Sequence, residues 1–230
     1  MLSKAPSYLV HTFTALGVVF GFLALLATVD GKIPEAFLWL AAALFVDGVD
    51  GTLARAANVK QNTPEIDGAI LDNIIDYLNY VVVPVFIFYS LGMDPEQYLL
   101  LSCIAILLVS CFTFINTNIK TDDFYFSGFP AIWNIVVLYF YILESSEFTN
   151  FIFVILFCVL TFIPFKYVHP FRVVEFRKIT LMITSIWMIT TTILLFDLSF
   201  SNPIFTSANF IIWLITNVYF AGNIVFRSFK

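Results

Sequence analysis

Charge is what this sequence has least of. Only 12% of its 230 residues are Asp, Glu, Lys or Arg, against 60% hydrophobic, and its mean hydropathy is +0.94. Soluble domains carry about 25% charged residues, so an ordinary water-soluble fold is excluded and a polytopic membrane protein is implied. Cysteine is scarce as well. Cys103, Cys111 and Cys158 all lie inside apolar runs at irregular spacing. That excludes a disulfide framework or a thiolate metal site and leaves small buried hydrophobes. There is no HExxH helix, no Walker loop and no GxGxxG turn, so the chemistries those motifs carry drop out. Neither a defensible repeat nor a low-complexity stretch divides the chain. Residues 1–230 are therefore expected to form a single polytopic membrane domain with no nucleic-acid partner.

What is present is long apolar runs. Eight candidate spans follow one another, at about 8–29, 34–54, 69–91, 97–116, 124–143, 148–165, 179–196 and 204–226. The first starts almost at Met1 and offers no convincing cleavage site, so it is read as a retained helix. With eight alternating spans, Lys4, Arg55, Lys60, Lys120, Lys166, Arg172, Arg177, Lys178, Arg227 and Lys230 share the side that holds both termini. Lys32 alone of the basic residues lies opposite, among Asp30, Glu35, Asp94, Glu96, Glu144, Glu147 and Asp197. The positive-inside rule then places both termini in the cytoplasm. The expected fold is an all-α integral membrane protein of about eight transmembrane helices.

One stretch breaks the apolar pattern: Asp47 to Asp76, DGVDGTLARAANVKQNTPEIDGAILDNIID. Asp47 and Asp50 close the second span, and Asp72 and Asp76 open the third. Spacings of three and four put each pair on one helix face. A short polar connection between the spans makes an antiparallel hairpin. Asp47 lies eight residues before Arg55 and Asp76 eight after Gly68, so both sit roughly 12 Å from their helix ends. All four carboxylates can meet near one depth. An ionised Asp at a membrane helix centre costs about 2.5–3.5 kcal/mol on insertion scales. Four together also repel one another, and divalent cations answer both problems. Solvated charges at a loop edge are the plainer alternative, but these would not need helical spacing on both sides of the loop.

Around this stretch the side chains have ordinary roles beside the chemical ones. His11 sits at the right membrane face to border the aspartates, although a hydrogen-bonded structural histidine is the commoner case. Arg55 offers a bidentate donor for phosphate, and equally a snorkelling anchor. Gly51 removes a side chain beside Asp50. Glu65 and Asp67 are read as exposed loop charge, and Pro84 as a kink further along the third span. The connection with His169, Arg172, Arg177 and Lys178 reads as an interfacial segment against anionic membrane lipids. Trp187, Trp213, Asn209 and Asn217 read as packing or interface positions.

The pattern Asp47-x-x-Asp50-Gly51-x-x-Ala54-Arg55, then Gly68-x-x-x-Asp72-x-x-x-Asp76, resembles the signature of the CDP-alcohol phosphatidyltransferases, with every fixed position filled. Twelve residues separate Arg55 from Gly68, where most of the family has about eight. That insert, with LVHTFTALG and YVHPFRVV, resembles the bacterial phosphatidylcholine synthase branch. The resemblance implies transfer of a phosphatidyl group from CDP-diacylglycerol to an alcohol, with release of CMP. In this branch the alcohol is choline. It implies two divalent ions, Mn²⁺ or Mg²⁺: Asp47, Asp50 and Asp72 resemble the ligands of one, Asp47, Asp72 and Asp76 those of the other. Asp76 corresponds to the proposed base, and Gly51, Ala54, Arg55 and Gly68 to positions near the cytidine and pyrophosphate. The family also implies a homodimer, and the branch a bacterial inner (cytoplasmic) membrane; the charge distribution described above opens the aspartate cluster to the cytoplasm. For choline, Asn73, Tyr77 and Tyr80 are the candidates, because a trimethylammonium head has no N–H and is recognised by ring faces. Two other functions stay open at this point: a transferase for another alcohol (serine, inositol or a polyol phosphate), and a cation transporter using the same carboxylates.

Overall fold

The computed structural model describes residues 4–116, 125–168, 175–197 and 207–229; Lys120, His169, Arg172 and Lys230 lie outside these. Helix starts follow local chemistry. Pro6 and Pro34 fall in the first turns of Ala5–Val29 (α1) and Ile33–Ala56 (α2), where no backbone N–H is needed. Glu35 in the first turn of α2 and Arg55 in its last complement the helix dipole. A single turn, Val59–Asn62 (α3), follows. Asp67 caps Gly68–Tyr77 (α4) by accepting from the backbone N–H groups of Ala69 and Ile70 at 2.9 and 3.1 Å. Its charge is therefore structural, a role the loop-charge expectation did not include.

The third rod is not a plain α-helix. A π-helical turn, Leu78–Val82, separates α4 from Val83–Ser90 (α5), and Val83 N–H bonds back to the Leu78 carbonyl. Pro84 accounts for it. Proline cannot donate to the Tyr80 carbonyl and would crowd it, so the turn before it widens. The kink expected at Pro84 is taken up one turn earlier, beside the aspartates.

Glu96–Ile115 (α6) comes next, then a strand, Tyr125–Ser127 (β1), and two shorter helices, Trp133–Ile142 (α7) and Glu147–Leu160 (α8). Lys166–Val168 (β2) pairs antiparallel with β1, Phe126 opposite Tyr167. Arg177–Asp197 (α9) and Ala208–Ser228 (α10) complete the described chain. Among the described residues six helices are long and apolar enough to cross a membrane. The expected spans at 124–143 and 148–165 correspond to α7 and α8, of 10 and 14 residues. At ~1.5 Å per residue these are roughly 15 and 21 Å long, against ~30 Å of bilayer hydrocarbon. The stretch before α7 is a strand and turn because Gly128 holds φ +85° and Pro130 disfavours helix at the residue before it. A Cβ on Gly128 would lie 2.4 Å from the Thr161 carbonyl oxygen, so that turn admits no side chain.

The main core gathers residues of α1, α2, the π-turn, α5, α6, α7, α8 and Leu195 of α9, and in it Phe129 stacks on Phe157 while Trp133 meets both edge-on. Trp187, Leu194, Trp213 and Ile142 form a second cluster beneath α9 and α10. Leu138 packs against both clusters, and the neighbouring Tyr139 ties α7 to α9 and α10: it accepts from Trp187 Nε1 at 2.7 Å and donates to Asn217 Oδ1. Asn209 Nδ2 bonds the Thr190 carbonyl at 3.1 Å, so all four polar or aromatic residues singled out in the last two spans are packing residues.

Candidate active site

The end of α2 and the start of α4 place the carboxylates. Helical spacing turns Asp47 and Asp50 to one side of α2, and the Asp67 cap fixes where α4 begins and so where Asp72 and Asp76 point. One carboxylate oxygen from each of Asp47, Asp50 and Asp72 lies within 4.8 Å of the others. Asp76 lines the same cavity, with Thr14 of α1, Tyr80, and Asn134 of α7. Asp50 is buried, and Tyr80 Oη donates to Asp47 Oδ2 at 2.7 Å. No lysine, arginine or histidine lines this cavity among the described residues. Of the four aspartates expected to meet, the hairpin brings Asp47, Asp50 and Asp72 together, and Asp76 lines the cavity they share.

The donor set fits divalent ions of the Mg²⁺ or Mn²⁺ kind. Carboxylate oxygens are hard donors, and the 4.8 Å spread is close to twice a metal–oxygen distance of ~2.0–2.6 Å. Asp47, Asp50, Asp72 and Asp76 are the residues that would hold them.

α1 is the backboard of the site. A Cβ on Gly17 would lie 2.5 Å from Ile75 Cγ2, and one on Gly21 would lie 2.5 Å from Asn79 Oδ1. Asn79 Nδ2 also donates to the Gly17 carbonyl at 3.0 Å. Gly17-x-x-x-Gly21 is thus a small-residue seat into which the π-turn and the end of α4 fit. The pattern stands in the sequence, but only its partner gives it meaning. The twelve-residue insert is a folded cap tied to the start of α1. Ser7 Oγ donates to the Ala57 carbonyl at 3.0 Å, His11 Nε2 meets Thr63 Oγ1 at 3.1 Å, and Tyr8 Oη donates to Glu65 at 2.6 Å. Lys4 stands 3.7 Å from Glu65. The Tyr8 hydroxyl first, then a backbone N–H and more weakly Lys4, hold the exposed Glu65 carboxyl below its usual range. His11 takes the structural role, bonded to Thr63 and packed beside Gly68.

The remaining expected residues divide. Gly51 and Ala54 follow Asp47 and Asp50 by four positions each, on the same face of α2. Arg55 is exposed at the end of α2, its Nη2 donating to Thr52 Oγ1 at 3.0 Å. Gly68 is the first residue of α4. Of the three candidates for choline, only Tyr80 lines the cavity. Tyr77 turns to α6, donating to the Leu107 carbonyl at 2.9 Å with its ring edge-on to Phe114, and Asn73 is exposed. The π-turn is the reason Tyr77 and Tyr80 do not share a side. Asn134 carried no signal in the sequence, since it reaches the cavity from a helix far along the chain.

The sequence profile of the CDP-alcohol phosphatidyltransferase family matches residues 5–163. This chain belongs to the CDP-alcohol phosphatidyltransferases. Within that family it is similar to the phosphatidylcholine synthase of Pseudomonas aeruginosa, 41% identical over 99% of this chain and 94% of that protein. The synthase of Borreliella burgdorferi is 39% identical over 94% of this chain and 90% of its own. That of Legionella pneumophila is 44% identical over 72% of this chain and 66% of its own. The match to the family ends at residue 163, before α9 and α10.

Proposed function

We propose that this enzyme makes phosphatidylcholine by transferring the phosphatidyl group of CDP-diacylglycerol to free choline, releasing CMP. The observation that carries this reading is the one cavity lined by Asp47, Asp50, Asp72 and Asp76, with no basic side chain in its lining among the described residues. Relatives named phosphatidylcholine synthase, similar over nearly the whole chain, support the choice of alcohol.

Asp76 accepts the hydroxyl proton of choline as the new O–P bond forms, and CMP departs as the old bond breaks. Bound divalent ions would supply charge stabilisation for the pyrophosphate. Tyr80 orients Asp47 through its hydroxyl. Arg55, free of any carboxylate partner in its described contacts, offers a guanidinium to the pyrophosphate at the outer end of α2, beside Gly51, Ala54 and Gly68. A lipid donor and a water-soluble acceptor call for a site near one membrane face, and charge distribution makes that face the cytoplasmic one. The chain then sits in a bacterial inner membrane with both termini inside, α7 and α8 supplying the seventh and eighth segments.

Purified protein in mixed micelles with CDP-diacylglycerol and Mn²⁺ tests this directly. CMP release that needs choline, and that serine, inositol or glycerol phosphate does not replace, is the expected result. Release with one of those alcohols and none with choline would overturn it.

A further inference from the structure

The cavity does not stop at the carboxylates. Leu40, Ala43 and Leu44 line it from α2, between one and two turns before Asp47, on the side away from Arg55. Tyr80 lines it one turn beyond Asp76, in the same inward direction. Asn134 joins them from α7. It is 7% exposed, and its side-chain oxygen Oδ1 has no hydrogen-bond partner. A buried amide oxygen left without a donor is unfavourable, so a ligand that complements it is the natural explanation.

The chemistry limits which ligand. The pyrophosphate of the nucleotide is anionic and brings no donor, so it cannot face an acceptor oxygen. On the proposed reading, to which this inference is tied, choline must hold its hydroxyl at Asp76. Its other end then has two directions open. The direction of Arg55 belongs to the pyrophosphate. The inward direction offers three apolar walls for methyl groups, an acceptor oxygen for charge and an aromatic ring.

We infer that the inner end of the cavity is the pocket for the quaternary ammonium end of the alcohol, with the Asn134 carbonyl oxygen facing the cation and Leu40, Ala43 and Leu44 enclosing its methyl groups. Asn134 is then a specificity-determining residue contributed by a helix outside the aspartate motif. A primary ammonium fits less well, because its N–H groups need more acceptors than apolar walls supply.

The test compares choline with 3,3-dimethylbutan-1-ol, its uncharged isostere, in the micelle assay. Wild-type enzyme should favour choline in kcat/KM, and equal use of the two alcohols would overturn the cation pocket before any mutation is made. In Asn134→Leu the choline KM should rise about tenfold or more, as for loss of a contact to a charged group, and the preference over the isostere should shrink in step. The KM for CDP-diacylglycerol should stay within about twofold. Asn134→Asp keeps an oxygen facing the cation and should retain the preference, which also covers the case in which the leucine variant fails to fold. An unchanged preference in Asn134→Leu, or its loss in Asn134→Asp, would overturn the assignment. Absence of any choline-dependent CMP release from wild type would instead overturn the proposed function itself, so the two failures are distinct.

Discussion

At the scale of single residues, the proposed mechanism divides the aspartates into those that hold metal charge and the one that takes a proton. Asp47→Asn or Asp72→Asn should abolish turnover and weaken Mn²⁺ binding, measured by titration calorimetry on the purified chain; full activity in a verified metal-free sample would refute the two-ion arrangement. Asp76→Asn should lower kcat by at least ~10²-fold, the low end of a general base's contribution, while CDP-diacylglycerol still binds. A near-normal kcat would remove Asp76 from that role. Away from the site, Asp94 is buried and accepts from Ser102, and burial first, then nearby Glu147, pushes its carboxyl above the ordinary carboxylate range despite the Ser102 bond. The folded state thus binds this proton more tightly than the unfolded one. Its contribution is whole below pH 3.8 and is lost as pH rises through the raised value. Melting temperatures of Asp94→Asn should fall less between pH 4 and pH 7 than those of wild type; parallel curves would show that Asp94 does not titrate in this way.

At the scale of elements, the close approach of α1 to the third rod decides the site's geometry. Gly17→Ala introduces a methyl against Ile75 and should destabilise by ~1–3 kcal/mol, the usual range for an overpacked contact. Combining it with Ile75→Val should recover part of that loss, because the two side chains share one space. Strict additivity in detergent melting curves would mean that the glycine acts elsewhere. This contact marks the limit of what a sequence displays. The aspartates were legible because their spacing only makes sense on two facing helices. Gly17 and Gly21 were equally visible, yet nothing local said that Asn79 would lie across them. The π-turn was hidden for a related reason: Pro84 announces a disturbance, but how far upstream the helix absorbs it depends on neighbours. β1 was misread as part of a span because Tyr125, Phe126 and Phe129 are as apolar as any helix, and the break is carried by Gly128 and Pro130 alone. Asn134 was beyond reach, since only the folded core brings α7 to the carboxylates.

At the scale of the whole molecule, the parity of the crossings matters more than their number. On the proposed topology, whether α7 and α8 each cross or turn back as a pair, the count among the described helices stays even and the two ends of the chain share a face. Single cysteines at Lys4 and the exposed Phe229, in a background lacking the native three, should therefore react from the cytoplasmic side of inside-out vesicles, and one at Lys32 from the other. Labelling of the Lys4 and Phe229 positions from opposite faces would refute the shared side. The four clustered aspartates fall within α2 and α4, while α9 and α10 keep their own aromatic cluster and reach the body through Leu195 in the main core, Ile142 of α7 packed in that cluster, the Tyr139 hydroxyl, and a contact between β2 and the end of α10, where Lys166 N–H donates to Ser228 Oγ at 2.8 Å. Such a join has a mechanical meaning. Pulled from its carboxyl end in a bilayer, the chain should yield this terminal hairpin as one early rupture, with the remaining helices resisting to a higher force. Tyr139→Phe should lower the first force peak and leave the later ones where they were.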